Sequence, residues 1–296
     1  VEHFTRTLAG AEVNVAIGLT RLGHQVSYIT RLGDDILGRY IRTKLRTENI
    51  GAQIVFDPDH FTGFQLKEKM LTGDPLVCYF RKNSAASMLC EEDVNAADLS
   101  GARLLHLTGI PPALSAGARA AAYRMIERAK AAQIQVSFDP NLRPGLWENQ
   151  ETMIRVVNDI AAKCDMVLPN LKEGRTLTGF DDEVKIADYY LNLGVKMVTV
   201  KLGKRGSFTK TGKQYFYQPN MPIDKIVDTV GAGDGFAVGI ISGTLEGLSL
   251  EETVQRGNAI GALQLRQAGD NEGLPTSEEL RNYLEEVKNG AFANGY

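Results

Sequence analysis

The sequence predicts an α/β protein with a mostly parallel sheet, because short apolar runs alternate with longer segments of helical period. The apolar runs are nearly continuous, which is expected of strands that have helices on both faces of their sheet. The composition, with 43% apolar and 23% charged residues, is that of an ordinary globular protein. A chain of 296 residues can form one large domain, so we predict a single domain over residues 1–296.

The individual elements follow from these two patterns. Apolar and β-branched runs predict strands at Val26 to Thr30, Leu104 to Thr108, Val136 to Asp139, Met166 to Pro169 and Met197 to Lys201. Apolar residues at helical spacing predict helices at Asp34 to Glu48, Ser115 to Ala132, Gly233 to Glu246, Leu250 to Ala268 and from Ser277 onward. In the second of these helices the stripe is formed by Ala122, Met125, Ile126 and Ala129.

The stretch from Ala52 to Arg81 departs from this alternation. It contains no helical pattern and is divided by turn residues at Asp57-Pro58, at Thr72-Gly73-Asp74 and at Pro75. Alternation appears at Phe64, Leu66, Glu68 and Met70, and again at Val77, Tyr79 and Arg81, which predicts a small antiparallel sheet. We expect residues 1–9 and 52–82 to form a β lid over the ligand site at the carboxyl edge of the main sheet.

Charge and hydropathy exclude several classes of protein. The net charge is −3 and the pI about 5.9, without a long Lys/Arg block, so we expect no nucleic-acid partner. The apolar runs are too short for a membrane helix, and no secretory signal is visible. Cys78, Cys90 and Cys164 form no CxxC pair, which is typical of a reducing compartment. We therefore expect a cytoplasmic protein.

A glycine-rich segment, residues 228–237, carries the strongest chemical signal. Gly231 and Gly233 have no Cβ, so their backbone N–H groups can approach an anion at the start of the helix that follows. Asp234 would lie in the first turn, where it could accept a proton from a hydroxyl. An anion site beside a base is what phosphoryl transfer to an alcohol requires. The alternative, that Asp234 only caps the helix, is equally compatible with this pattern.

The segment fits neither of two common nucleotide-binding motifs. No GK[ST] follows the glycines, and the G-x-G-x-x-G dinucleotide pattern is absent. Instead, residues 228–239 resemble the C-terminal signature of the ribokinase-like (PfkB) family of sugar kinases. Leu8 to Ala16, with Asn14, is similar to the family's substrate loop, and Asn170 to Glu173 matches its N-x-x-E element. The resemblance implies a ribokinase-like three-layer sandwich and an ATP-dependent carbohydrate kinase.

Within the family, the chain is most similar to the kinases of 2-keto-3-deoxygluconate. The segments behind this similarity are Tyr79 to Ser87, Leu105 to Ile110, Phe138 to Arg143 and Gly269 to Gly273. The resemblance implies phosphorylation of the terminal hydroxyl. A fructokinase or another ketohexose kinase of the family is the nearest alternative, and a non-catalytic sugar-binding regulator is less favoured because Asp234 and its glycines are present. Family members begin with a strand ahead of the substrate loop, so we expect that strand to be missing from the chain as given.

The resemblance also implies roles for individual residues. Asp234 would be the base, with Gly231, Ala232 and Gly233 as the anion hole. The sugar would contact Gly10, Asn14, Tyr79, Arg81, Asp234 and Asp270. ATP would contact Asn170, Lys201, Gly203, Lys204, Gly206, Gly231, Gly233 and Asn258. Glu173 would act on Mg²⁺ through water, and Asp228 would shape the loop, with a monovalent cation as a further expected ligand.

Simple physical considerations support part of this assignment and leave part of it open. Because the net charge repels both a sugar acid and ATP, local cations must bind them, and the guanidinium groups of Arg81 and Arg143 suit carboxylate and phosphate oxygens. The alternatives that remain are that Lys204 and Arg205 form a solvated turn and that Asn258 lies on a polar helix face, and the functional roles are favoured over them. His106 is expected to be a hydrogen-bonded core residue. We also expect a homo-oligomer, with the lid sheet as the contact.

Overall fold

The computed structural model describes residues 3–68 and 76–290, which fall into two compact units. The first unit contains residues 3–28, 40–52 and 220–290, and the second contains residues 29–39, 53–68 and 76–219. Met70 and the turns expected at Thr72-Gly73-Asp74 and Pro75 lie outside the described residues. The single domain and the function of a lid stay predictions.

The helices are α1 (Ala11–Arg21), α2 (Ile36–Thr47), α3 (Glu91–Asn95), α4 (Pro111–Leu114), α5 (Ala116–Ala131), α6 (Gln150–Ala161), α7 (Leu171–Thr178), α8 (Glu183–Asn192), α9 (Ala232–Glu246), α10 (Leu250–Gln264) and α11 (Ser277–Lys288). The strands are β1 (Ser27–Gly33), β2 (Gly51–Asp57), β3 (Phe64–Glu68), β4 (Leu76–Phe80), β5 (Leu104–Thr108), β6 (Gln135–Asp139), β7 (Met166–Val167), β8 (Met197–Lys201), β9 (Ser207–Thr211) and β10 (Tyr215–Gln218). Within the described ranges, short 3₁₀ helices lie at Ala85–Met88, Pro144–Leu146 and Gly203–Arg205.

The second unit is built on a six-stranded sheet in the order β10-β9-β8-β7-β6-β5. Strands β5 to β8 are parallel, and β9 and β10 add an antiparallel hairpin at one side. The parallel strands follow one another in chain order, so right-handed crossovers place α5 to α8 on one face of the sheet. The predicted class, a mostly parallel sheet with helices, is confirmed. The hairpin β9–β10 was not predicted.

The parallel register brings polar residues to one edge of this sheet. Thr108 at the end of β5 is paired with Asp139 at the end of β6, and β8 ends at Lys201. Strand β7 is shorter than predicted, because it ends at Val167 and the chain continues through Pro169, which has no N–H to donate to a neighbouring strand. Asn170 then forms an isolated bridge with Lys201. The buried residues beneath this edge include Phe138, Val167, Val198 and Phe208.

The predicted small antiparallel sheet is present as the pair β3–β4. Phe64 faces Phe80, and their rings stack with centroids 4.7 Å apart. Strand β2 belongs instead with β1. Gly51 N–H donates to Val26 O and Asp34 N–H to Asp57 O, so the two strands run in parallel. The reason is that helix α2 connects β1 to β2 and makes a βαβ crossover, which joins parallel strands.

The first unit is dominated by the helix pair α9 and α10. The two helices approach closely where Gly239 lies against Gly257, and a Cβ on Gly239 would be 2.4 Å from the Gly257 Cα. Helix α10 ends at Gln264 rather than at Ala268 as predicted. The Gln264 side chain accepts a hydrogen bond from Gly273 N–H and donates one to Gly269 O, which stabilises a loop immediately after the helix. This loop carries Asp270.

Candidate active site

The glycine segment forms a tight turn into helix α9. Gly231 is the residue before the helix and has a φ of 79°, and a Cβ at this position would lie 2.2 Å from the Asp270 carbonyl oxygen. Only glycine satisfies both conditions without strain. The first hydrogen bond of the helix joins Gly235 N–H to Gly231 O, so the N–H groups of Ala232 and Gly233 precede it at the positive end of the helix.

Asp234 lies in the first turn of α9, next to these N–H groups, and is half-buried. Its Oδ2 accepts a hydrogen bond of 2.7 Å from the amide of Asn14, which lies 220 residues earlier in the chain. Asn14 is only 2% exposed and lies in the first turns of α1, which follows Gly10. The structure therefore brings together Asn14 and Asp234, and it makes Gly231, not Asp234, the N-cap of the helix.

Two side chains join the glycine turn to the loop after α10. The Asp228 carboxylate accepts hydrogen bonds from the N–H groups of Val230 and Gly269, at 3.1 and 3.2 Å. The buried Gln264 donates to Val230 O and Gly269 O. The contacts of Asp228 agree with its expected role in shaping the loop. Gln264 was missed, although an amide directly after the small and apolar run from Ala259 to Leu263 is an informative signal.

Asn271 is the second residue that sequence reasoning missed. Its amide donates to the Asn14 Oδ1 at 3.0 Å and to the Leu8 carbonyl at 2.8 Å, and its side chain is buried. It lies within the segment Gly269 to Gly273, of which only Asp270 was assigned. Asp270 is half-buried beside Gly231, and Asn258 is buried within α10.

The second unit contains a buried ion pair at the carboxyl ends of β6 and β8. Lys201 Nζ lies 2.6 Å from Asp139 Oδ2, and the two side chains are 15% and 4% exposed. The backbone N–H of Lys201 donates to Pro169 O, which holds the end of β8 next to Asn170. Lys201 was predicted as a nucleotide contact, and its pairing with Asp139 was not predicted.

Asn170 and Glu173 form a capping box at the start of α7. Asn170 Oδ1 accepts from Glu173 N–H, and Glu173 Oε2 accepts from Asn170 N–H, both at 2.9 Å. The other oxygen, Oε1, accepts from Leu142 N–H at 3.0 Å. Burial raises the pKa of Glu173, the nearby Asp139 carboxylate raises it further, and Lys201 opposes both effects. The structure therefore brings Asn170, Glu173, Asp139 and Lys201 into one cluster.

The remaining predicted contacts lie elsewhere in the second unit. Gly203 and Gly206 have positive φ angles and bound the β8–β9 turn, in which Lys204 is exposed and Arg205 pairs with Glu183 at 3.1 Å. Arg81 stacks on Tyr79, with its guanidinium carbon 4.1 Å from the ring centroid. Arg143 folds back on its own loop and donates to Leu142 O at 3.0 Å.

The comparisons with known proteins decide the family. A family model described as pfkB family carbohydrate kinase matches residues 1–277. The chain belongs to the pfkB family of carbohydrate kinases. A 2-dehydro-3-deoxygluconokinase of Bacillus subtilis (strain 168) is 47% identical over 286 residues, covering 96% of this chain and 88% of that protein.

Solved structures agree with this family assignment. A PfkB protein from Polaromonas sp. JS666 is 46% identical and matches with a TM-score of 0.84, covering 92% of this chain and 88% of that one. A fructokinase double mutant from Vibrio cholerae O395, solved with fructose, ADP and potassium, is 25% identical with a TM-score of 0.87, covering 96% and 92%. The predicted ribokinase-like fold and the kinase class are confirmed. Along the described residues, no helix has the length and apolar character needed to cross a bilayer.

Proposed function

We propose that this pfkB carbohydrate kinase transfers the γ-phosphoryl group of ATP to the terminal hydroxyl of 2-dehydro-3-deoxygluconate, also called 2-keto-3-deoxygluconate. The products are 2-dehydro-3-deoxy-6-phosphogluconate and ADP. The substrate is supported by the Bacillus relative that is 47% identical. The chemistry is supported above all by one observation, the 2.7 Å contact of Asn14 with Asp234 at the start of α9.

Asp234 is the base of this proposed reaction. Its carboxylate takes the proton of the terminal hydroxyl, the hydroxyl oxygen bonds to the γ-phosphorus, and the bond from that phosphorus to the β-phosphate oxygen breaks. The Asn14 amide restricts the rotation of the carboxylate by holding Oδ2. The amides of Gly231, Ala232 and Gly233 stabilise the negative charge of the transferring group, because they lie at the positive end of α9.

The sugar acid requires both neutral and cationic contacts. We assign Gly10, Asn14 and Asp270 to its hydroxyl groups, and Tyr79, Arg81 and Arg143 to its remaining contacts, including the carboxylate. Arginine suits this group because its planar fork donates two parallel hydrogen bonds. The stacking of Arg81 on Tyr79 supports the assignment, since the ring restricts the guanidinium group before the substrate binds.

We assign Asn170, Lys201, Gly203, Lys204, Gly206 and Asn258 to the nucleotide, together with Gly231 and Gly233. Kinases of the pfkB family use ATP with a divalent metal, which we take to be Mg²⁺. Among the described residues no cluster of three His, Cys, Asp or Glu side chains could hold a metal ion. Mg²⁺ bound largely through phosphates and water fits this composition, because it needs only one or two carboxylates.

Glu173 fits a contact with Mg²⁺ through water. Each of its oxygens accepts one backbone hydrogen bond, and a carboxylate offers about four lone-pair sites in all, so acceptor sites remain. When bound, the ion neutralises phosphate charge. For a monovalent cation we propose the loop around Asp228, in line with the potassium in the Vibrio fructokinase structure.

The test is a coupled assay of ADP release with Mg-ATP. It compares 2-dehydro-3-deoxygluconate, fructose, ribose and gluconate, with Asp234→Asn as the blank. We expect a strong preference for the keto-deoxy acid. A preference for fructose would replace the proposed substrate but retain the kinase, and no ADP with any sugar would support the sugar-binding alternative instead.

An Arg81→Ala variant tests the recognition of the acid in the same assay. We expect the KM for the sugar acid to rise by about tenfold or more, the effect of losing one charged hydrogen bond, with little change in the KM for ATP. Arg124→Ala, in an exposed pair with Glu127, is the matched control. An unchanged sugar KM would contradict the role of Arg81.

Cytoplasmic location and homo-oligomerisation stay predictions, the latter testable by light scattering.

A further inference from the structure

Three side chains form a hydrogen-bonded chain that ends on Asp234. The Asn271 amide donates to Asn14 Oδ1 at 3.0 Å, and the Asn14 amide donates to Asp234 Oδ2 at 2.7 Å. Asn14 and Asn271 are 2% and 6% exposed, so water does not readily replace these bonds. All three residues belong to the first unit.

The direction of this chain is fixed at its far end. The Asn271 amide also donates to the carbonyl of Leu8 at 2.8 Å, and a carbonyl can only accept. The Asn271 amide nitrogen must therefore face Leu8 and Asn14. The carbonyl oxygen of Asn14 then faces Asn271, so its own amide nitrogen faces Asp234.

The backbone around Asn271 is held independently. Arg21 Nη1 donates to the carbonyl oxygens of Asn271 and Leu274, at 2.9 and 3.0 Å. The same guanidinium binds both oxygens of Glu48, at 3.2 and 2.9 Å. These contacts fix the position of residue 271, so a change in its side chain alters the amide chain more than the loop.

We propose that Asn271 is a positioning residue that acts through Asn14 to keep an N–H donor on the carboxylate of Asp234. This inference rests on the proposed role of Asp234 as the base. Without the Asn271 donor, the buried Asn14 Oδ1 loses its hydrogen bond, and the Asn14 side chain can rotate away from the carboxylate to recover one. Loss of the Asn14 donor would disfavour the ionised base and release its orientation.

The first test is the pH dependence of kcat/KM for Asn271→Ala. Weakening of the hydrogen bond from Asn14 to the charged Asp234 carboxylate predicts a fall in kcat of about 10- to 100-fold. It also predicts an upward shift of the acid limb by about one pH unit. Asn271→Leu has nearly the size of asparagine but neither donates nor accepts a hydrogen bond, so it covers the case in which the alanine variant does not fold. We expect a shift of similar size for it.

Other charges on the neighbouring elements do not change in Asn271→Ala. They are Glu12 and Arg21 on α1, Asp228 on the loop before α9, and Asp270 and Glu272 on the loop after α10. The part of α10 that packs against the start of α9 contributes the uncharged residues Ile260 and Gly261. A difference in the acid limb between the wild-type enzyme and Asn271→Ala therefore reports the amide chain.

The second test asks whether Asn271 acts through Asn14. We expect the double variant Asn14→Ala/Asn271→Ala to be no slower than Asn14→Ala alone, because the second substitution removes nothing further. Multiplicative losses in kcat would overturn the proposal.

Asn158→Ala is the matched control for a structural effect. Asn158 is a buried asparagine of the second unit whose amide donates to Leu177 O and accepts from Tyr190 OH. It should lose stability without a shift of the acid limb. If Asn271→Ala behaves in the same way, Asn271 is structural and the inference is wrong. An inactive wild-type enzyme would contradict the proposed function instead.

Discussion

Each unit contains a cluster of residues to which we assign a function, and each cluster includes an aspartate. The two aspartates have different partners. In the first unit, half-buried Asp234 accepts a hydrogen bond from the neutral amide of Asn14. In the second unit, the more deeply buried Asp139 is paired with the ammonium of Lys201 at 2.6 Å. The first contact therefore uses a neutral donor, whereas the second uses a full counter-charge.

This difference fits the proposed role of Asp234 as a base and a structural role for Asp139. A base that must accept a proton from a hydroxyl is oriented by a neutral donor with less loss of basicity than a cation would cause. A buried carboxylate with a structural task needs a counter-charge, because an isolated charge in the interior is strongly unfavourable. Removing the charge of Asp234 should therefore affect catalysis, whereas leaving Asp139 without its counter-charge should lower stability.

The largest effect is expected for Asp234→Asn. We predict a loss of turnover of roughly 10²- to 10⁴-fold, the usual contribution of a positioned base. The free energy of unfolding should change by less than about 1 kcal/mol, since the asparagine oxygen can still accept from Asn14. Turnover by ADP release and unfolding in urea test the two parts. Near wild-type turnover would remove the base from the mechanism.

The glycine turn shows how much local sequence can predict. Three glycines before a helical pattern were sufficient to predict the start of α9 and the first-turn position of Asp234. The Asn14–Asp234 contact was not derivable from local patterns, because the residues are 220 positions apart. The resemblance to the family assigned both residues to one site, and the structure brings them together.

The parts that were missed depend on tertiary contacts. Asn271 and Gln264 act by hydrogen bonds to backbone groups of other segments, and a single amide in a sequence does not indicate its partner. The hairpin β9–β10 was missed although its pairing is local, because its two strands follow β8 without a helix between them. The pairing of Lys201 with Asp139 depends on the order of β6, β7 and β8 in the sheet, which the alternation of elements alone does not specify.

The next largest effect is expected for Lys201→Met. Removing the ammonium leaves the buried Asp139 carboxylate without its counter-charge, which we expect to lower the free energy of unfolding by about 3–5 kcal/mol. Lys163→Met is the matched control. Lys163 also pairs with an aspartate, Asp159, at 3.1 Å, but these two side chains are 41% and 49% exposed. It should cost less than about 1 kcal/mol. Equal losses in urea unfolding would show that burial of the first pair is unimportant.

The smallest effect concerns His106 on β5, which faces Ser137 on β6 in the same sheet as Asp139. Burial lowers the pKa of His106 from 6.5 to about 4, while Asp139 raises it and Lys201 lowers it. Its Nε2 is buried and makes no hydrogen bond among the described residues, so protonation would add an unsatisfied N–H.

Because the pKa of His106 is lower in the folded state, the unfolded state binds the proton first as the pH falls. The contribution of neutral His106 to the free energy of unfolding is therefore complete above about pH 6.5 and decreases towards pH 4. Between pH 7 and pH 5 we expect His106 to account for up to about 2 kcal/mol of the loss in the free energy of unfolding. His106→Gln should lose less stability than the wild-type enzyme over this interval, whereas His3→Gln, at an exposed position, should follow the wild-type curve. If the free energy of unfolding falls equally with pH in His106→Gln and the wild-type enzyme, this imidazole is not kept neutral by the fold. The acid sensitivity of the second unit's cluster would then come from its carboxylates alone.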